Sequence, residues 1–341
     1  MQRSWLDSLT DLVDAAPIPR WTVYAVAIAL WSVLAMAVGW ATGAREFPQF
    51  AVSPIIAAIV PVVFLWSTQI LNGVGDRALK ALGPALTVDA ATIESIARDL
   101  KRTPPGWALL AVPVGAAAGI AGILSKPESW ELTRGDPAAS WVPTIVISCA
   151  SIIAALGFVI HAIHQMRLIE DIHRGLVSVD LFHLEPLYSF ARLTSLTGIT
   201  LVAIVVGGIG IAAAIVPGFE FAATDLLTFG FLIVVAIAVF VVPLRGLHDR
   251  IETEKDRRLA EAQTVLVAAV TEMQKRITAG DIEGAARVND ALAAANLGVE
   301  VVSRVPTWPW RTETLRGFLS AVFLPIALWL AITLLGRLLP A

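Results

Sequence analysis

The sequence predicts an all-α polytopic membrane protein, with seven transmembrane helices and a cytoplasmic helical hairpin before the last of them. Three observations carry that prediction. Of 341 residues, 57% are hydrophobic and 16% charged, with a mean hydropathy of +0.74; an ordinary soluble domain is about one quarter charged. Seven stretches are apolar for long enough to cross a bilayer core about 30 Å thick, which takes roughly 20 helical residues. Trp21, Trp40, Trp107, Trp141, Trp308 and Trp310 fall at or just outside the ends of those stretches, as an interfacial aromatic belt does.

Taken in order, residues 1–20 form a cytoplasmic interfacial helix. Trp5, Leu6, Leu9, Leu12 and Val13 share one face and Asp7, Asp11 and Asp14 the other, so the helix lies along the membrane surface by apolar burial rather than attraction to anionic lipid. A basic n-region and a continuous apolar run are both missing here, so no cleaved signal peptide is expected. Residues 21–242 hold a six-helix bundle with spans at Trp21 to Trp40, Ala51 to Leu71, Trp107 to Leu124, Trp141 to His161, Leu196 to Val216 and Leu226 to Val242. Between the second and third spans, two short helices are broken at Gly83-Pro84 and stopped by Pro104-Pro105, with Thr87 or Asp89 as a cap.

Residues 243–317 form the cytoplasmic hairpin and an interfacial elbow. Leu259, Ala262, Leu266, Val270, Met273 and Ile277 are spaced 3 or 4 apart, an apolar seam that needs a partner. A second, Ala-rich helix from Ile282 to Leu297, started by Asp281 and ended by Gly298, lets the two fold as an antiparallel pair. Pro243 lets the sixth span continue, kinked, into the first of them. In "VPTWPWRTETLRGFL" the tryptophans Trp308 and Trp310 make a stiff elbow that anchors, or gates, the seventh helix. That helix spans Phe318 to Leu335, and residues 318–341 include a short outside C-terminus.

Lys and Arg set the orientation. Ten lie in residues 1–20, 72–106 and 162–195, four in 41–50, 125–140, 217–225 and the C-terminus, and eleven more in 243–317. The first and last groups are therefore expected in the cytoplasm, with the N-terminus inside, the C-terminus outside and the chain in the inner (plasma) membrane. Outer loops of 10, 16 and 9 residues are too short for a folded domain, so an outside signal is expected to enter through the bundle.

Net charge is −3, which gives no footprint for nucleic acid. Cys149, the single cysteine, reads as a packing residue. No span carries Asp, Glu, Lys or Arg in its interior, and HExxH, P-loop, CxxC and GxSxG patterns are missing. No catalytic residue, cofactor or metal is expected, and the chain is not read as an enzyme. The glycine runs "GAAAGIAG" and "VVGGIG" read as close helix packing. Pro54, Pro61, Pro113 and Pro325 break spans and free carbonyls.

"HAIHQMRLIEDIH" packs three of the five histidines into thirteen residues. At about 100° per residue, His161 and His164 share a face as the one candidate metal pair, while His173 falls opposite. His173 and Arg174 before Gly175 match a closing helical turn. A pH-responsive cluster at the inner interface is the minor alternative.

"HRGLVSVDLFHLEPLYSFARLTSLTG" and "VPTWPWRTETLRGFLSAVFLPIALWLAI" resemble a group of prokaryotic polytopic membrane proteins to which no activity is attached. The architecture also resembles the seven-transmembrane channels that include insect odorant and gustatory receptors: an inside N-terminus, an outside C-terminus close to the last helix, and a cytoplasmic helical region before it. The Thr-Tyr and Gln-Phe that those receptors carry in the last helix have no counterpart here. The resemblance implies assembly through the cytoplasmic region and a pore lined by the last helix, with Ser320, Pro325 and Thr333 on its wall. The expected function is a membrane sensor or ligand-responsive channel-like protein, homo-oligomeric through its hairpin. The alternatives are a transporter or lipid-handling protein using Pro-broken helices, and a non-catalytic scaffold recruiting a cytoplasmic protein. Membrane lipids are partners in every case, and nucleic acid in none.

Overall fold

The computed structural model describes residues 3–50, 53–125, 127, 132–133, 135–215 and 223–338; side chains of 53, 205, 208–215, 223–229, 232, 326 and 328–338 are also outside the described set. Among the described residues the regular elements are all helices, and the one β pairing is an isolated antiparallel bridge between Leu86 and Val177. Five stretches are apolar and long enough to cross a membrane: Arg20–Ala41, Pro54–Ala85, Ala90–Ser125, Ala138–Gly175 and Glu185–Ile204. The sixth and seventh predicted spans fall on helices many of whose side chains lie outside the described residues. Contacts divide the chain into two units, one of Met1–Asp76, Ala90–Leu168 and Ala203–Ile215, the other of Arg77–Asp89, Ile169–Val202 and Val216–Ala341.

The first unit is built on α1 (Trp5–Ala15), α2 (Arg20–Ala41), most of α3 (Ser53–Leu82), α4 (Ala90–Leu100), α5 (Pro105–Ser125) and most of α6 (Ala138–Gly175). At 1.5 Å per residue, α3 and α6 are about 45 and 57 Å long, well beyond a bilayer core, so both carry a membrane-crossing part and a protruding end. α6 stops at Gly175 as its closing residues predict. Helices α5 and α6 touch through glycine. A Cβ on Gly119 would lie 2.7 Å from the Cys149 backbone, and one on Gly115 2.7 Å from the Ile153 side chain. The "GAAAGIAG" reading holds at those two positions, spaced four apart as in small-residue helix contacts. For "VVGGIG", Gly207 meets nothing within 4 Å among the described residues, and Gly208 and Gly210 lie outside the residues whose side chains are described.

Helix α1 differs from the expected division of its faces. It starts with a capping box: Ser4 Oγ accepts from Asp7 N and Asp7 Oδ2 from Ser4 N, both at 3.1 Å, satisfying two donors at the helix start. The Trp5 ring lies 3.0 Å from where a Gly157 Cβ would be, and its Nε1 donates to Ala108 O at 2.7 Å. Leu6, Asp7 and Thr10 are buried while Leu9 and Leu12 face outward. The helix is thus seated on α5 and α6, and part of its acidic face points inward.

In the second unit, α7 (Ser189–Ile215) contributes its first half, followed by α8 (Ala223–Val241), α9 (Arg245–Thr278), α10 (Ile282–Ser303) and α11 (Thr312–Leu338). A 3₁₀ turn at Val242–Leu244 carries α8 into α9 across Pro243. α9 and α10 pack along one another, joined at Gly280, whose φ of +74° suits glycine. Asp281 Oδ1 accepts from Gly284 N at 2.8 Å and starts α10. The predicted stop at Gly298 is overrun: α10 continues to Ser303 because Val302 is buried, and packing outweighs the glycine's propensity.

Candidate functional site

The site grows from a buried polar chain in the first unit. Asn72 of α3 is its centre: its Oδ1 accepts from His161 Nε2 at 2.8 Å and from Gln165 Nε2 at 3.1 Å, both on α6. Gln165 also donates to Leu100 O at 2.9 Å, which fixes its amide orientation because a carbonyl only accepts. His161 therefore carries its proton on Nε2, and its Nδ1 accepts from the Thr103 hydroxyl at 3.0 Å. Thr103 N in turn donates to Asp7 Oδ1 at 3.0 Å. Residues from α1, the α4–α5 connection, α3 and α6 are so joined in one run, with Asp7, Thr103, His161 and Gln165 all buried. Most buried polar groups are paired; among the described residues Gln165 Oε1 has no partner.

Beside this run, Gln69 of α3 uses every polar atom. Its Oε1 accepts from Tyr24 OH at 2.9 Å, and its Nε2 donates to Asp14 Oδ1 at 2.8 Å and Thr10 O at 3.2 Å. Gln69 and Asn72 form the floor of a cavity of about 350 Å³. Its walls are charged: Asp7, Asp11, Asp14 and Asp76 face Arg3, Arg20, Arg98, Lys101 and Arg102. Three pairs bridge it, Arg3–Asp11 at 3.4 Å, Arg20–Asp14 at 2.7 Å and Lys101–Asp76 at 2.8 Å. Such a pocket can bind a small polar or charged molecule. No protein-family model, curated protein or solved structure matches this chain.

The predicted site residues land in three places. His161 and His164 lie one turn apart on α6: both ring nitrogens of His161 are hydrogen-bonded, to Asn72 and Thr103, and His164 Nε2 donates to Asp99 O at 3.2 Å. So bonded, the pair ties α6 to α3, to α4 and to the α4–α5 connection. Trp308 and Trp310 join a ladder of stacked rings in the second unit. His248 lies on Trp308 at 4.1 Å, Trp308 on Trp310 at 4.5 Å, Trp310 on Phe240 at 5.1 Å and Phe240 on Phe318 at 4.5 Å. Each such contact adds to simple burial, so the elbow is fastened to α8, α9 and α11. Lys255 Nζ donates to Ser303 O and Val305 O at 2.7 and 2.8 Å, and Arg311 pairs with Glu185 at 3.0 Å. Ser320 is exposed and Pro325 half-buried inside α11; the Thr333 side chain lies outside the described residues.

Of the seam, Leu259, Ala262, Leu266 and Met273 are half-buried, and the helix alongside is α10. Val270 and Ile277 remain exposed. The seam's partner is thus largely the chain itself. His248, Asp249 and Glu252 come within 4.8 Å of one another through their ligand atoms, but His248 Nδ1 contacts Thr307 O and its ring is stacked. The sequence reading missed Asp7, Tyr24, Thr103 and Gln165. The Ser4-to-Asp7 capping spacing and the polar Gln69 and Asn72 at the end of an apolar span were the available signals.

Proposed function

We propose that the chain is a seven-span sensor of the inner membrane, N-terminus inside and C-terminus outside. It takes a small polar ligand into the pocket beneath α1 and reports occupancy through the cytoplasmic hairpin of α9 and α10, by which copies associate. The observation that carries this reading is the cavity floored by Gln69 and Asn72 and backed by the Asp7–Thr103–His161–Asn72–Gln165 run. A bundle that only crossed a membrane could fill those positions with apolar side chains at no desolvation cost. Polar groups tied to one another around open space instead support a preorganised binding wall. The ring ladder supports the output side, because it couples α9 and the elbow to α11, the helix that a channel-like assembly would use as its pore wall.

Association is supported by apolar residues that α10 leaves uncovered on α9, Val265 at 60% and Val267 at 64% exposure. Mass photometry of the full chain in detergent tests the reading. Wild-type protein is expected as an oligomer that Val265→Asp with Val267→Asp disperses to monomers, and that Asn72→Leu shifts in population. A particle that stays monomeric at every concentration, with or without these substitutions, overturns it.

A further inference from the structure

We infer that the pocket beneath α1 binds a phosphate group, held by Arg98 and Arg102. This rests on the reading of the pocket as a ligand site and adds what the ligand carries. Every aspartate in the wall is already answered: Asp7 by the backbone N–H groups of Ser4 and Thr103, Asp11 by Arg3, Asp14 by Arg20 and Gln69, and Asp76 by Lys101. The basic side is not. Among the described residues Arg98 spends only its Nε, on Glu94 O at 3.2 Å. The Arg102 side chain is half-buried and, among the described residues, has no hydrogen-bond or ion-pair partner.

Arg98 lies in the last turn of α4 and Arg102 two residues past its end, where the chain tightens into 3₁₀-type turns through Lys101 N to Arg98 O and Arg102 N to Asp99 O. Both line the same cavity, and two like charges on one wall repel. An anion between them turns that repulsion into attraction. A planar guanidinium presents a two-pronged donor edge that matches a carboxylate or phosphate. A carboxylate's two oxygens are used by one such fork, whereas phosphate has oxygens for two. The cavity of about 350 Å³ also leaves room for an organic group on the phosphate. Trp107, 64% exposed, begins the next apolar span five residues after Arg102, so the site sits at the level where lipid headgroups meet water. A phospholipid headgroup and a soluble phosphate compound share this chemistry.

The test uses the full chain, stripped of lipid in detergent and measured by native mass spectrometry. Phosphatidylglycerol is added as probe, and inorganic phosphate as competitor. Wild type and Arg287→Gln, on exposed α10, are expected to hold one phosphatidylglycerol; Arg98→Gln with Arg102→Gln lowers its occupancy about tenfold or more. Arg98→Lys with Arg102→Lys, which keeps charge but loses the fork, weakens binding several-fold and serves if the glutamine protein does not fold. Displacement of the lipid by inorganic phosphate assigns the site to soluble phosphate, and resistance to displacement assigns it to the headgroup; both support the proposal. Equal occupancy in wild type and both arginine variants overturns it, as does equal retention of an uncharged galactolipid. Failure here with an intact oligomer response to Asn72→Leu leaves the sensor reading standing and changes only the ligand.

Discussion

Replacing Asn72 with leucine strikes the centre of the polar run while keeping the number and branching of side-chain heavy atoms. Two hydrogen bonds are lost at once, from His161 Nε2 at 2.8 Å and Gln165 Nε2 at 3.1 Å. Gln165 keeps Leu100 O as acceptor, but the His161 N–H is left buried and unpaired. At about 1 kcal/mol net for a hydrogen bond and about 1–3 kcal/mol for an orphaned donor, the loss comes to roughly 2–4 kcal/mol. Unfolding in detergent, followed by tryptophan fluorescence, measures it. A double-mutant cycle makes the assignment specific. His161→Leu alone also costs stability, but Asn72→Leu with His161→Leu is expected to cost less than the sum of the two by at least about 1 kcal/mol, because the second change removes a donor the first had stranded. Additivity to within about 0.5 kcal/mol would refute the shared bond and, with it, the run that backs the pocket.

Three further outcomes follow from the same geometry. Gly119→Ala places a methyl group 2.7 Å from the Cys149 backbone and is expected to destabilise by about 1–3 kcal/mol. Gly122→Ala, with nothing nearby, is neutral or stabilises by up to about 1 kcal/mol; thermal melts of the two variants decide. Trp310→Ala empties the middle of the ring ladder and should cost about 3–5 kcal/mol, with loss of near-UV circular dichroism as its signature. Glu254 gives the pH dependence: hydrogen bonds from Arg257, and then Arg258, hold its carboxyl down from 4.5 to about 2. A depressed folded value means that its contribution is complete above 4.5 and is lost as pH falls towards 2. Exposure keeps that contribution below about 1 kcal/mol. Far-UV circular dichroism of Glu254→Gln should lack this component of acid loss, and an unchanged acid profile would contradict it.

Local signals were legible wherever the structure answers them locally. His173-Arg174-Gly175 marks the end of α6, Pro243 the 3₁₀ step into α9, Asp281 the start of α10, and Gly115 with Gly119 the contact of α5 and α6. The pocket was not legible, because its bonds span the chain: Asp7 meets Thr103 at a separation of 96 residues and Asn72 meets His161 at 89. Periodicity on α1 assigns Asp7 to a solvated face since it sees only the helix itself, and Thr103 is what makes burial of that carboxylate tolerable. The angular argument for His161 and His164 was sound about their shared face. It could not show that α3 and α4 would occupy the donors and acceptors first. Gly298 misled for a similar reason, since Val302 is buried beyond it.

Hydrogen exchange of the full chain tests the central claim most directly. The comparison is between lipid nanodiscs of phosphatidylglycerol and nanodiscs of an uncharged galactolipid. With phosphatidylglycerol, the account predicts slower exchange in α1 and α4, which carry the pocket wall, together with changed exchange in α9 and α10, and loss of both effects in Arg98→Gln with Arg102→Gln. Identical exchange in α9 and α10 under both lipids, with α1 and α4 protected, would contradict a sensor whose hairpin reports the pocket.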